Sequence, residues 1–152
     1  MINKKILILM ISIIVSITTI GCTSSNANSY SNDYNKVSEM SKTSLEISDA
    51  YSNSESKGDF KKESKRIIKD LKKTKMKTKE GKEVLNAYID ISEYIVDIIL
   101  DNWNKGLLQF TGDNKIVQLE DNLKNKINMF DEKIETLKVE SGFYDVLEEL
   151  KS

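Results

Sequence analysis

The chain has no proline and no histidine, and its 152 residues include a single cysteine. Without proline, nothing removes a backbone donor from a helix interior, so long uninterrupted helices meet no obstacle. Without histidine, the commonest general base and metal ligand is missing. A single cysteine cannot close an internal disulfide, so stability has to come from apolar packing. No Asp-x-Asp-x-Asp loop of the kind that binds calcium is present. These absences remove most catalytic and metal-binding classes, and no cofactor is expected.

What is present begins with MINKKILILMISIIVSITTIGC, Met1 to Cys22. Lys4 and Lys5 precede an apolar run of 15 residues, Ile6 to Ile20, broken only by Ser12, Ser16, Thr18 and Thr19. A positive start followed by such a run is the pattern of a secretory signal. At about 1.5 Å per residue the run spans about 22 Å, short of the roughly 30 Å hydrocarbon core. It stops at Thr19-Ile20-Gly21-Cys22. This end resembles the lipobox of bacterial lipoproteins, with Gly21 before the cut and Cys22 as lipid acceptor. Thr19 departs from the aliphatic residue usual in that family.

The resemblance covers residues 1–22 alone. It implies that the Cys22 thiol receives a diacylglyceryl group and that a dedicated peptidase cuts between Gly21 and Cys22. Palmitate-type acyl chains would then hold the protein on the outer face of the cell membrane, since two chains anchor stably where one does not. With Cys22 so committed, nucleophilic cysteine chemistry and Cys/His zinc sites drop out. Three other readings stand beside this one: an ordinary buried thiol, cleavage after Ala27 at Ser25-Asn26-Ala27, and an uncleaved membrane anchor.

Three parts are therefore expected: a signal peptide over residues 1–21, a lipidated flexible tether over 22–35, and a helical domain over 36–152. Thr23 to Asn35 is small and polar with no apolar period, which suits a tether. Val37, Met40, Ile47 and Tyr51, with Ser44 in the gap, predict a weakly apolar helix over about Asp33 to Asn53. Gly58 is expected to stop it and Asp59 to cap the next helix, whose stripe is Phe60, Ser64, Ile67, Ile68 and Leu71. A break is expected around Thr74 to Gly81, with Gly81 as punctuation.

A long central helix is predicted over about Lys82 to Phe110 from the spacing of Val84, Leu85, Tyr88, Ile91, Ile95, Ile98 and Ile99. After a turn at Thr111 to Asn114, with Asp113 as cap, Ile116, Leu123, Phe130, Leu137 and Tyr144 recur every seven residues. Ile127 and Ile134 fill the second seam position. Phe143, Val146, Leu147 and Leu150 predict a short closing helix. No strand-like alternation competes. The expected fold is all-α, an antiparallel three- or four-helix bundle with coiled-coil-like seams, the alternative being an extended antiparallel coiled coil.

Charge is divided along the chain. From Lys57 to Lys82 there are 12 basic residues against 4 acids, a net of +8. From Glu83 to Ser152 there are 15 acids and 7 lysines, a net of −8. Lys61, Lys65, Lys69, Lys72 and Lys73 are candidate contacts for an anionic surface. The competing reading sets Lys61, Lys65, Lys69 and Lys72 beside an acidic ladder of Asp90, Glu93, Asp97 and Asp101 on an antiparallel neighbour. Such exposed pairs select register more than they stabilise. Trp103 is read first as closing the end of the core, and second as a partner anchor.

The functional expectation is a non-enzymatic envelope lipoprotein that interacts with a protein or an anionic polymer. Export disfavours nucleic acid as a partner. The alternatives are an oligomeric coiled-coil spacer, in which the heptad joins copies of the chain, and a secreted helical protein binding anionic surfaces.

Overall fold

The computed structural model describes residues 29–103 and 114–140. The expected signal segment with Gly21 and Cys22, the expected cap at Asp113 and the closing helix expected after Ser141 fall outside the described residues. The described chain forms four helices and no strand: α1 (Ser29–Asn53), α2 (Lys57–Leu71), α3 (Lys79–Asp101) and α4 (Asn114–Glu140).

Each boundary has a local cause. α1 starts at Ser29 rather than Asp33, so residues 29–35 are helical where a tether was expected. The reason is burial: Asp33, Tyr34 and Val37 all face the core. α2 is capped by Ser56 and not by Asp59. The Ser56 hydroxyl accepts from the Asp59 backbone N–H at 3.2 Å and donates to the Asp59 carboxylate at 2.6 Å. This reciprocal arrangement satisfies one orphan donor of the first turn. Gly58 lies inside α2, not at the end of α1.

The expected break is real but earlier, over residues 72–78. Thr78 caps α3, its hydroxyl accepting from the Gly81 N–H at 2.9 Å. Gly81 is therefore a first-turn residue of α3 rather than punctuation. α3 ends at Asp101, with Asn102 as its C-cap, nine residues short of Phe110.

Named contacts set the packing directions. Asp33 meets Thr78 and Ser44 meets Tyr88, so α1 and α3 run parallel. Lys133 pairs with Glu83 and Lys126 with Asp90, so α4 is antiparallel to α3 in a fixed register. Tyr51 against Phe60 marks α1 and α2 as antiparallel across their short turn. The result is an up-down-up-down helical bundle in which α3 touches each of the other three helices. That contact pattern excludes an extended two-stranded coil.

α2 is short, and the connector after it makes up the length. Lys72 at its end pairs with Glu93, 14 residues into α3, about 21 Å from the α3 start at 1.5 Å per residue. Lys72 and Lys73 continue the last turn of α2, and the residues from Thr74 to Thr78 cover the descent at up to about 3.3 Å each. The connector thus descends along the bundle, and Met76 is buried beneath it.

The core is layered along the axis. At the upper end Tyr51, Phe60 and Trp103 form an aromatic cluster, with Trp103 stacked on Phe60 at 5.5 Å and edge-on to Tyr51 at 5.3 Å. Trp103 thus closes the core, as first read. Tyr88 and Phe130, both fully buried, meet at 5.4 Å in the middle. Leu123, Phe130, Ile134 and Leu137 hold the heptad seam, and Ile127 packs at its margin.

Candidate functional site

Of the five basic residues singled out from sequence, four come together and one does not. Lys61, Lys65, Lys69 and Lys72 lie along one groove between α2 and α3, of about 480 Å³. The four-residue spacing of Lys61, Lys65 and Lys69 sets them on one side of α2. Ser64, Ile68, Val96 and Leu100 make the floor, and Glu93 and Asp97 stand on the opposite rim. Lys73 is not part of this groove: its ammonium bonds the Asp70 carboxylate in the last turn of α2 at 2.6 Å.

The facing acids are met only in part. Lys72 bonds Glu93 at 2.6 Å. Asp90 turns instead to Lys126 on α4, and Asp101 is exposed. Among the described residues Lys61, Lys65 and Lys69 make no ion pair. The groove therefore carries an unbalanced positive rim over an apolar floor, which suits an acidic segment bearing apolar side chains.

A second polar site lies at the lower end, organised around Asp33, where the expected tether overlaps the expected first helix. Asp33 is fully buried on α1. Its Oδ2 accepts from the Thr78 N–H at 2.7 Å, the Thr78 hydroxyl at 2.8 Å and the Lys77 N–H at 2.8 Å. Lys36 stands 3.7 Å from Oδ1 and also donates to the Lys75 carbonyl. Burial alone would raise the Asp33 pKa. The hydrogen bonds from Thr78 and Lys77, with Lys36 beside it, outweigh burial and hold the carboxyl below its ordinary value. An ionised carboxylate at the start of α3 also meets the positive end of the helix dipole. No periodic pattern could have flagged this residue, because its partners lie 44 and 45 positions away.

A second buried polar pair explains the gap in the apolar stripe of α1. Ser44 shares a hydrogen bond of 2.7 Å with the Tyr88 hydroxyl. Burial pushes the Tyr88 phenol up to about 12, Ser44 offsetting part of that rise. Both groups are satisfied by each other, which specifies how α1 and α3 align.

A wider surface groove of about 730 Å³ runs between α1 and α2, lined by Glu46, Asp49, Glu55, Asp59 and Glu63 together with Lys62 and Arg66. Arg66 bonds Glu63 at 2.6 Å and Asp70 at 3.1 Å, so its guanidinium is engaged within α2. Among the described residues no cluster of three or more acids is arranged to hold a metal ion. The chain matches no protein-family model, no curated protein and no solved structure.

Proposed function

We propose that the protein is an exported lipoprotein on the outer face of the bacterial cell membrane. A diacylglyceryl group on Cys22 anchors it, and its bundle acts without enzymatic chemistry as an interaction or envelope-modulating factor. The observation that carries this reading is the order along the chain. A basic start, a 15-residue apolar run and Gly21-Cys22 are followed, from Ser29, by a helical bundle. Among the described residues no helix is long and apolar enough to cross a membrane. Attachment in this reading falls to the acyl chains on Cys22, at about 0.8 kcal/mol per buried methylene.

The outward role is binding. The lysine-rimmed groove between α2 and α3 is the surface to which an acidic segment of an envelope protein is complementary, its apolar floor adding area that charge alone would not. Binding of that kind weakens as salt approaches about 1 M, where the Debye length falls to about 3 Å.

The deciding experiment compares the intact mass and membrane partitioning of the wild type with those of Cys22→Ser. A chain beginning at Cys22 with a diacylglyceryl increment, lost in the variant together with membrane retention, is the expected result. A lipid-free chain beginning at Asn28 would replace this reading with that of a secreted bundle. A mass that grows with concentration in light scattering would favour the oligomeric spacer.

A further inference from the structure

The connector between α2 and α3, with the first turn of α3, reads KKTKMKTKEGK over residues 72–82, six lysines against one glutamate. Its place in the fold was not evident from its composition. Asp33 draws Lys77 and Thr78 onto the first turns of α1 through backbone and side-chain hydrogen bonds. Lys36 holds the connector at Lys75, one turn further along. Met76 is buried between these points, so the exposed lysines on either side of it are fixed outward. The lower part of this stretch, from Lys75 to Lys82, is thereby pinned to the end of the bundle at which α1 begins.

That end is also the one from which the chain leads back to Cys22. Six residues, Thr23 to Asn28, separate Cys22 from Ser29. Seven chain steps of at most about 3.6 Å keep the start of α1 within about 25 Å of Cys22 in any conformation. Resting on the lipoprotein reading above, we infer that the connector face formed by Lys75, Lys77, Lys79 and Lys82 docks on the anionic lipid headgroups of the membrane that holds the anchor. The bundle then stands with α2's start and Trp103 pointing away.

The local charge balance fits this occupant. Lys75, Lys77, Lys79 and Lys82 are all exposed, and among the described residues only the ammonium of Lys79 is paired, with Glu83 at 3.8 Å on its own helix. Glu83 is drawn chiefly to Lys133. α4 brings Asp131, Glu132 and Glu135 to this end together with Lys133 and Lys138, a net of −1 against the four lysines of the face. Polybasic segments beside a bilayer are attracted to anionic lipid within about a Debye length, and the short link to Cys22 holds the segment at close range. The acyl anchor supplies attachment, and the lysines supply orientation. Lys61, Lys65 and Lys69, singled out from sequence, lie on the bundle's side and are not part of this face.

The test takes the full chain as purified from membranes and reconstitutes it in phosphatidylcholine vesicles with or without phosphatidylglycerol. A pulse of amine-acetylating reagent is then read lysine by lysine by mass spectrometry. Lys75, Lys77, Lys79 and Lys82 are expected to label several-fold more slowly on the anionic vesicles, with the difference lost as salt approaches about 1 M. Lys57, Lys61 and Lys65 should label equally on both. Equal labelling of the connector, or slowing at Lys57 and Lys61 instead, overturns the orientation. Slowing by soluble poly(glycerol phosphate) on neutral vesicles, with none by phosphatidylglycerol, assigns the face to a wall polymer and overturns the lipid. The Cys22 peptide in the same digest reports the anchor independently. An unlipidated Cys22 defeats both readings, whereas a lipidated Cys22 with an unprotected connector defeats the orientation alone.

Discussion

The carboxylate of Asp33 occupies the space in which a side chain on residue 81 would begin. A Cβ at Gly81 would lie 2.9 Å from the Asp33 Cβ and Cγ, and nearer still to Oδ2. The glycine is required by this approach between α1 and α3, not by backbone conformation. Two residues 48 positions apart therefore constrain each other's identity.

Gly81→Ala tests that constraint. On helix propensity alone the change would stabilise by about 1 kcal/mol. Overpacking against Asp33 should reverse the sign and give a net loss of about 1–3 kcal/mol, read from the urea midpoint. An unchanged or higher midpoint would show that Asp33 swings clear without losing its bonds.

Acid should release the same contact. The Asp33 pKa is lower in the folded chain, so its contribution is fully present above the ordinary value of 3.8 and is lost as pH falls through the lower folded value. Asp33→Asn should reduce stability at neutral pH and flatten that acid limb. A variant whose stability falls as steeply as the wild type below pH 3.8 would count against it.

Ser44 and Tyr88 should behave as a unit. Ser44→Ala leaves a buried phenol without its partner and should cost about 1–3 kcal/mol, while the double variant with Tyr88→Phe should cost less than the two singles together. The raised phenol pKa adds a pH signature. The fold favours the neutral phenol, so stability is intact below 10 and falls between 10 and about 12. This gap corresponds to about 3 kcal/mol at the top of that window, and Tyr88→Phe should remove that part of the loss. Strict additivity of the two variants would deny the coupling.

The seam between α3 and α4 separates packing from charge. Phe130→Ala, at a fully buried site against Tyr88, should cost about 3–5 kcal/mol. Lys126→Ala and Lys133→Ala, which break exposed pairs with Asp90 and Glu83, should each cost less than about 1 kcal/mol and should lose that effect in high salt. Lysine variants as costly as Phe130→Ala would mean that charge, rather than the heptad, holds α4 in place.

Periodicity carried the helices and failed at the contacts between them. The heptad from Leu123 to Leu137 announces α4 because burial repeats with the helix turn. The spacing from Val84 to Ile99 announces α3 in the same way. The ends of the helices were less legible. Ser56 and Asp59 are three residues apart and both able to cap, and only the folded backbone shows which one does. Gly81 looked like a break because glycine usually costs a helix stability; here it is the one residue small enough for Asp33 to approach.

The role of Asp33 was not legible, because a lone acid among serines and asparagines carries no period. Its reason lies in Thr78, across two helices. The lysine groove was half legible: the four-residue spacing put Lys61, Lys65 and Lys69 on one face. The pairing of Asp90 with α4 instead of α2 depends on where α4 lies, which local sequence does not specify.

The grip of Asp33 on Lys77 and Thr78 also has a mechanical meaning. Any pull on the chain ahead of Ser29 enters the fold at the first turn of α1. The parallel course of α1 and α3 means that this load is passed within two turns to the start of the central helix, as shear across several short hydrogen bonds loaded together. Peeling α1 away one turn at a time would require those bonds to fail first. The bundle is thus reinforced at the end where a tether would drag on it.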